Sequence, residues 1–184
     1  MRIRTAAEND ALAIGRVHVE TWRSAYRDIV PSAYLDSLLP EERAVLWRTV
    51  LRDPSGARFV LVAADEGGEL IGFAAGGPER SAELKDRGEL YALYVLPWHQ
   101  QRGLGLALVK AVATRLASGG MLSMLLWVLE ANAPPRRFYG KLGGSVVRDR
   151  PIDVRGVTLT EVAYGWPRLG VLLNRSAEDT WPSP

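Results

Sequence analysis

No cysteine occurs anywhere in the 184 residues. Disulfides, thiolate nucleophiles and acyl-cysteine intermediates are therefore excluded. Histidine is nearly as scarce, with His18 and His99 the only two. A zinc site would have to draw on this pair and on carboxylates, so no metal is expected. No apolar run approaches the roughly 20 residues that span a bilayer. The first residues, MRIRTAAEND, lack the apolar core of a signal peptide. The expectation is a cytoplasmic protein with no membrane partner. Charge of one sign is lacking too: 23 basic residues face 21 acidic ones, a net +2. The nearest approach to a basic patch is Arg136-Arg137, and two residues make no nucleic-acid surface.

Several signatures are also missing. There is no G-x-S-x-G, so nothing supports a serine acyl-enzyme. There is no G-x-x-x-x-G-K-[ST] and no G-x-G-x-x-G after a strand, which leaves out the common nucleotide-binding loops. What remains is ordinary globular composition, 47% hydrophobic and 24% charged, at a length that suits one domain.

Periodicity orders the chain. Arg2–Arg4 reads as a short edge strand, and Thr5-Ala6-Ala7-Glu8 as a capping box with Thr5 as N-cap. Ile14, His18, Trp22, Ala25 and Ile29 recur at helical spacing. A second helical stretch over 32–51 is split by Pro40, with Glu41 and Glu42 in the new first turn. Segments 58–64 and 69–75 read as a hairpin ended by Gly76-Gly77-Pro78, and 79–87 as a polar, mobile connection. A strong strand over 89–96, a helix over 104–116 and a buried strand over 121–129 follow. A short helix over 134–142 and strands over 143–149 and 157–164 close the pattern. This order implies a mixed α/β (α+β) fold with one parallel crossover between 89 and 129. The expected domain covers 1–167, and 168–184 is an unassigned tail.

The most informative stretch is 89–116, ELYALYVLPWHQQRGLGLALVKAVATRL. A strand empties through Gln100-Gln101-Arg102-Gly103-Leu104-Gly105 into a helix. Glycine lets backbone pass close to a ligand. The free N–H groups converge at the positive end of the helix dipole, which suits a diphosphate. Along the strand, simple alternation puts Glu89, Tyr91, Leu93 and Val95 on one face.

Taken together, the strand ELYALYVLP, the loop QQRGLGLA and the segment Asn132-x-x-x-x-x-Phe138-Tyr139-x-Lys141-Leu142-Gly143 resemble the GNAT superfamily of acyl-CoA N-acyltransferases. The resemblance spans about Arg2 to Trp166. It implies a twisted, mostly antiparallel sheet of about seven strands with a splayed parallel pair and flanking helices. It also implies acetyl-CoA as acyl donor and an amine acceptor, with direct attack in a ternary complex. Homodimers are frequent in the family. Carried over residue by residue, Leu93, Tyr94 and Val95 offer the strand edge to pantetheine. Gln100, Gln101, Arg102, Gly103, Leu104, Gly105 and Leu106 form the pyrophosphate cradle. Two departures stand out: Pro135 replaces a frequent Ala, and Gly144 stands where Phe often follows the glycine.

By the same resemblance, Tyr139 is the candidate general acid for the leaving sulfur, with core packing as the rival role. Glu89 is the candidate base acting through water, against a solvated strand end. Asn132 is a candidate for cofactor or water binding, or simply a helix N-cap ahead of Pro134. Trp22, Tyr26 and Tyr34 fall in the region that covers the acceptor pocket. They would form an aromatic wall for a cation, or part of the core. His18, on an apolar stripe, reads as a core histidine. The alternative from another class is a non-catalytic acyl-CoA-binding sensor, which would keep the loop and lose the acid and base.

Overall fold

The protein is described by a computed structural model covering residues 1–81 and 86–174. Its apolar segments build one seven-stranded sheet from β1 (Arg2–Thr5), β2 (Phe59–Ala64), β3 (Leu70–Pro78), β4 (Arg87–Val95), β5 (Ser123–Leu129), β6 (Ser145–Val154) and β7 (Val157–Trp166). Their spatial order is β1-β2-β3-β4-β5-β7-β6. Every neighbouring pair is antiparallel except β4 and β5. The parallel pair needs a crossover, and α4 (Leu104–Ser118) supplies it.

Both faces of the sheet are covered. Leu104, Leu108, Val112 and Leu116 of α4 pack with Leu61, Ile71, Leu90, Met124 and Leu126. Each full burial of this kind stabilises by about 1.5–3 kcal/mol, and together they fix α4 over the middle of the sheet. On the opposite face, α1 (Ala11–Ala25) sets Ile14 and Val17 against Val60, Val62 and Phe73. Next come α2 (Ser32–Asp36) and α3 (Pro40–Leu51). Pro40 takes the first position of α3, where a missing N–H costs nothing. The short α5 (Ala133–Lys141) follows β5. Finally α6 (Gly170–Leu173) buries Leu172 against the α4 side of the core. Within the stretch expected as a tail, 168–174 is thus packed, and 175–184 lies outside the described residues. Among the described residues no helix is long and apolar enough to cross a membrane.

Four expectations are corrected. The capping box sits two residues later than Thr5/Glu8. Asp10 reaches back to the Ala7 N–H at 2.7 Å and is gripped by Arg4, while Glu8 pairs with Arg52. Gly76, Gly77 and Pro78 do not end β3 but continue it, pairing with Leu90, Glu89 and Gly88. The stretch 79–87 is not simply a polar connection. Glu79 is buried with its carboxylate held by Arg87 and Ser81, and Arg80 holds Glu89; residues 82–85 lie outside the described part. Lastly, the alternation along β4 breaks. Ala75 pairs with Ala92 and Gly76 with Leu90, which leaves Tyr91 as the extra residue of a β-bulge. Leu90, Leu93 and Val95 therefore face α4, while Tyr91, Ala92 and Tyr94 face α1 and α3. Glu89 does not share a face with Leu93 and Val95.

The departure at Gly144 has a packing reason. A Cβ there would lie 2.5 Å from the Trp166 ring. Trp166 is fully buried and donates its Nε1–H to the Leu142 carbonyl at 3.0 Å. The indole thus fills the space above the end of α5, and the residue after Gly143 must be bare. Gly144→Ala is expected to cost about 1–3 kcal/mol by overpacking, read from urea denaturation. An unchanged midpoint would show that Trp166 yields freely.

Candidate functional site

The site is set by a ladder that stops. β4 and β5 pair only at Arg87↔Ser123, Gly88↔Met124 and Glu89↔Leu125. Beyond this apex β4 runs on to Val95 and β5 to Leu129 with no pairing between them. The phase of β4 decides what the gap offers. The Leu96 N–H donates to the Ile71 carbonyl at 3.0 Å, and Tyr94 pairs with Phe73. In an antiparallel ladder every second residue turns both backbone groups to the same neighbour. Tyr94 is thus bonded to β3, while Leu93 and Val95 turn their N–H and C=O groups into the gap. The Val95 carbonyl is taken by the Gln100 side chain at 2.9 Å. Of the three edge residues expected from sequence, two present backbone to the gap and Tyr94 does not.

The loop closes the wide end of this gap. A single 3-10 turn at Pro97–His99 leads into it. Gln101 has φ +59 although it is not glycine. Such a conformation costs about 1–3 kcal/mol and persists where the surroundings impose it. Gly103 has φ +79 and is the N-cap of α4, with no side chain capping the helix. The first intrahelical bond runs from the Ala107 N–H to the Gly103 carbonyl at 3.0 Å. The N–H groups of Leu104, Gly105 and Leu106 therefore stand ahead of the ladder at the positive end of α4. The Leu104 and Leu106 side chains go into the core, so these residues offer backbone alone. The side chains of Gln101 and Arg102 are exposed. Gly105 has a second reason to be bare: a Cβ would approach the Phe138 ring of α5 at 3.3 Å. That contact ties the loop to α5.

On α5, Tyr139 is buried among Phe138, Tyr164 and Trp166. Burial, with a smaller push from the neighbouring Tyr94 phenol, raises its pKa well above the ordinary phenol value. Asn132 occupies the N-cap position of α5 and is 4% exposed, yet its side chain makes no capping bond. The simple N-cap role is thus not what its amide does. Arg136 of α5 donates to the Glu130 carbonyl at 2.8 Å, while Arg137 is exposed.

Glu89 sits at the apex, opposite Leu125. It is not a solvated strand end but 1% exposed. One oxygen accepts from the Arg80 guanidinium, with Nε at 2.9 Å, and the other from the Arg80 main-chain N–H at 3.0 Å. Across the sheet, Trp22, Tyr26 and Tyr34 are brought together, with the Trp22 ring 4.7 Å from Tyr26 and 6.2 Å from Tyr34. They pack with Leu129 of β5 and with Ile152, Val154 and Leu159 of the β6–β7 hairpin. Two arginines already engage Tyr34. Arg43 donates to its hydroxyl at 3.0 Å, and Arg155 lies 5.1 Å from its ring centre.

Sequence reasoning missed the Tyr94 side chain. Its hydroxyl accepts the Trp22 Nε1–H at 2.9 Å and lies near the Tyr26 phenol, whose pKa burial pushes up. The bulge at Tyr91 is what swings it there, and no local signal announces a bulge. His18 is a core histidine, its Nδ1 accepting from Trp47 at 3.0 Å. Burial, with Arg43 adding, pushes its pKa down to about 3, so it carries no charge at neutral pH. Among the described residues no group of His, Asp and Glu is placed to hold a metal.

Residues 19–144 match the model of the acetyltransferase (GNAT) family. The chain is 40% identical over 176 residues to the uncharacterized N-acetyltransferase YuaI of Bacillus subtilis, covering 94% of this chain and 98% of that one. Among solved structures, the PaiA N-acetyltransferase of Thermoplasma acidophilum, in complex with coenzyme A, aligns with a TM-score of 0.70 at 23% identity, over 88% of this chain and 96% of that one. YncA of Salmonella typhimurium, solved with its cofactor acetyl-CoA, aligns with a TM-score of 0.69 at 24% identity over 96% of each chain. The splayed strand pair, the loop that feeds α4 and the match across residues 19–144 agree: this chain belongs to the GNAT family of acetyltransferases.

Proposed function

We propose that the protein transfers an acetyl group from acetyl-CoA to an amine in a ternary complex, with Tyr139 as proton donor and Glu89 as proton acceptor. The observation that carries this is the open β4–β5 gap, its free backbone groups running from the α4 N-terminus toward Glu89. The residues fit the donor. The N–H groups from Gln101 to Leu106 suit a diphosphate. Leu93 N–H and C=O and Val95 N–H suit the amides of a pantetheine arm, and unpaired backbone groups need such a partner. Asn132, with its amide unused as a cap, stands ready at the end of β5. The bound thioester supplies the acetyl group and a sulfur leaving group.

The chain's own work is proton management. An alkylammonium has a pKa near ~10.4, so about one molecule in 2,500 is a free amine at pH 7. Glu89 lies at the apex and draws the ammonium proton through water once Arg80 loosens its hold. Tyr139 keeps its phenol proton across neutral pH because burial disfavours the phenolate. It offers that proton to the sulfur, where negative charge develops. Trp22 and Tyr26 wall the acceptor side, with Tyr34 behind them. No cysteine exists to carry the acetyl group, which supports direct attack.

Three outcomes follow from these roles. Gly103→Val forces a branched residue into φ +79 and into the diphosphate path; acetyl-CoA affinity by calorimetry is expected to be lost in a protein that still folds. Retained affinity contradicts the cradle. Tyr139→Phe is expected to lower kcat by on the order of 10²–10⁴-fold with CoA affinity nearly unchanged; turnover within about twofold of wild type would leave Tyr139 as packing. With Glu89 as base, kcat/KM rises with pH along a single ionisation that Glu89→Gln suppresses. A rising limb that survives the substitution and moves with the acceptor's own pKa removes Glu89 from the role.

A further inference from the structure

At the apex, on the sheet face opposite α4, lies a cavity of about 260 Å³. Glu79, Arg80 and Ser81 line it from the end of β3, Glu89 from β4, Trp127 from β5 and residues 148–150 from β6. Register fixes which side chains share the face. Trp127 is level with Ala163 and, through it, with Arg148; Leu129 is level with Glu161 and Arg150. Arg148 and Arg150 therefore stand on the Trp127 side, and the Arg150 guanidinium lies 3.9 Å from the centre of the Trp127 ring.

Three acidic and three basic residues line the cavity, so the formal charges cancel, but their depths differ. The Glu89 and Glu79 side chains are 2% and 3% exposed, whereas those of Arg80 and Arg150 are 60% and 48% exposed. The two buried acids, and Glu161 beside Arg150, are also occupied, while the exposed Asp149 lines the cavity from β6. Glu89 is held by Arg80, Glu79 by Arg87 and Ser81, and Glu161 by Arg150. Apart from Asp149 at the surface, a molecule entering the cavity meets the guanidinium groups of Arg80 and Arg150 before the carboxylates of Glu79 and Glu89. Arg80 and Arg150 each spend Nε and Nη2 on their acid, which leaves Nη1 of each for another acceptor. The volume equals that of about nine liquid waters at ~30 Å³ each, enough for an amino-acid-sized molecule.

We propose that the acceptor carries an anionic group, a carboxylate or another small oxyanion, a few bonds from its amine, and that Arg80 and Arg150 hold that group above Trp127, with Arg148 lining the cavity beside them. This rests on the acetyltransferase reading, which makes the apex the meeting point of acceptor and donor. Guanidinium is suited to the task because its planar fork matches an oxyanion. An anion that engages Arg80 also competes with Glu89 for it. The acceptor's own charge thus helps to free the carboxylate that takes the amine proton.

The test is thiol release from acetyl-CoA with matched acceptors: α-amino acids against the same molecules lacking the carboxylate, and aminophosphonates as the other oxyanion. Carboxylate- or phosphonate-bearing members are expected to exceed their uncharged-end partners in kcat/KM by on the order of 10–100-fold, the scale of hydrogen bonds to a charged group. Arg150→Gln and, separately, Arg148→Gln should shrink that preference through KM, with acetyl-CoA affinity by calorimetry unchanged. Arg80→Gln strands a buried carboxylate and can fail to fold, so the β6 variants carry the test. Plain amines that match or beat their carboxylated partners overturn the proposal while leaving the transferase intact. So does a folded Arg148→Gln/Arg150→Gln double variant with undiminished preference. Failure to bind acetyl-CoA, or to release thiol with any amine, overturns the transferase reading and the proposal with it.

Discussion

The structure depends on a parallel ladder that is allowed to break. Unpaired backbone groups inside a sheet are costly, and most sheets close them against a neighbouring strand. Here β4 and β5 are held together only at Arg87–Glu89 and then part. The break is kept open from both sides. Above it, α4 lies across β3 and β4 with Leu104, Leu108 and Val112 in the core. Below it, the Tyr94 side chain, swung over by the bulge at Tyr91, is pinned by Trp22. The gap is thus framed by packing on both faces of the sheet.

The apex of that gap is tied by charge. Arg80 to Glu89 and Arg87 to Glu79 are two bridges in which the acid is almost wholly withdrawn from water. In the Arg87–Glu79 pair both side chains are largely buried, and removing one leaves an uncompensated charge at a cost of about 3–5 kcal/mol. These bridges lock the end of β3 to the start of β4, where the last parallel pairing occurs. In the proposed reading the Arg80–Glu89 pair also gives the acceptor side its character, because it buries the carboxylate and leaves the Arg80 guanidinium outward. Structural fastening and proposed substrate preference come from one arrangement.

Most of the fold was legible in the sequence because it rests on local periodicity. The seven strands, the crossover helix over 104–116 and the Pro40 break in 32–51 all follow from apolar spacing and proline chemistry. The strand-to-helix turn at 100–105 was legible because glycine is a local signal, and Gly103 does adopt φ +79. What escaped is non-local. The bulge at Tyr91 depends on how β3 and β4 pair, and it moved Leu93 and Val95 to the face away from Glu89. The partner of Glu89, Arg80, lies nine positions earlier in a stretch that reads as merely polar. Gly144 looked like a lapse from pattern until Trp166, 22 positions on, was found in the space a side chain would take. The wall of Trp22, Tyr26 and Tyr34 was legible as a group. That the β6–β7 hairpin packs over it, with Arg155 against Tyr34, was not.

The central claim is that the broken ladder receives the donor through the backbone of Leu93 and Val95. Amide hydrogen exchange with and without acetyl-CoA tests it most directly. The account predicts that the Leu93 and Val95 amides gain protection when acetyl-CoA is added, while the Tyr94 amide, already bonded to β3, changes little. Unchanged exchange at Leu93 and Val95 under saturating acetyl-CoA would contradict it.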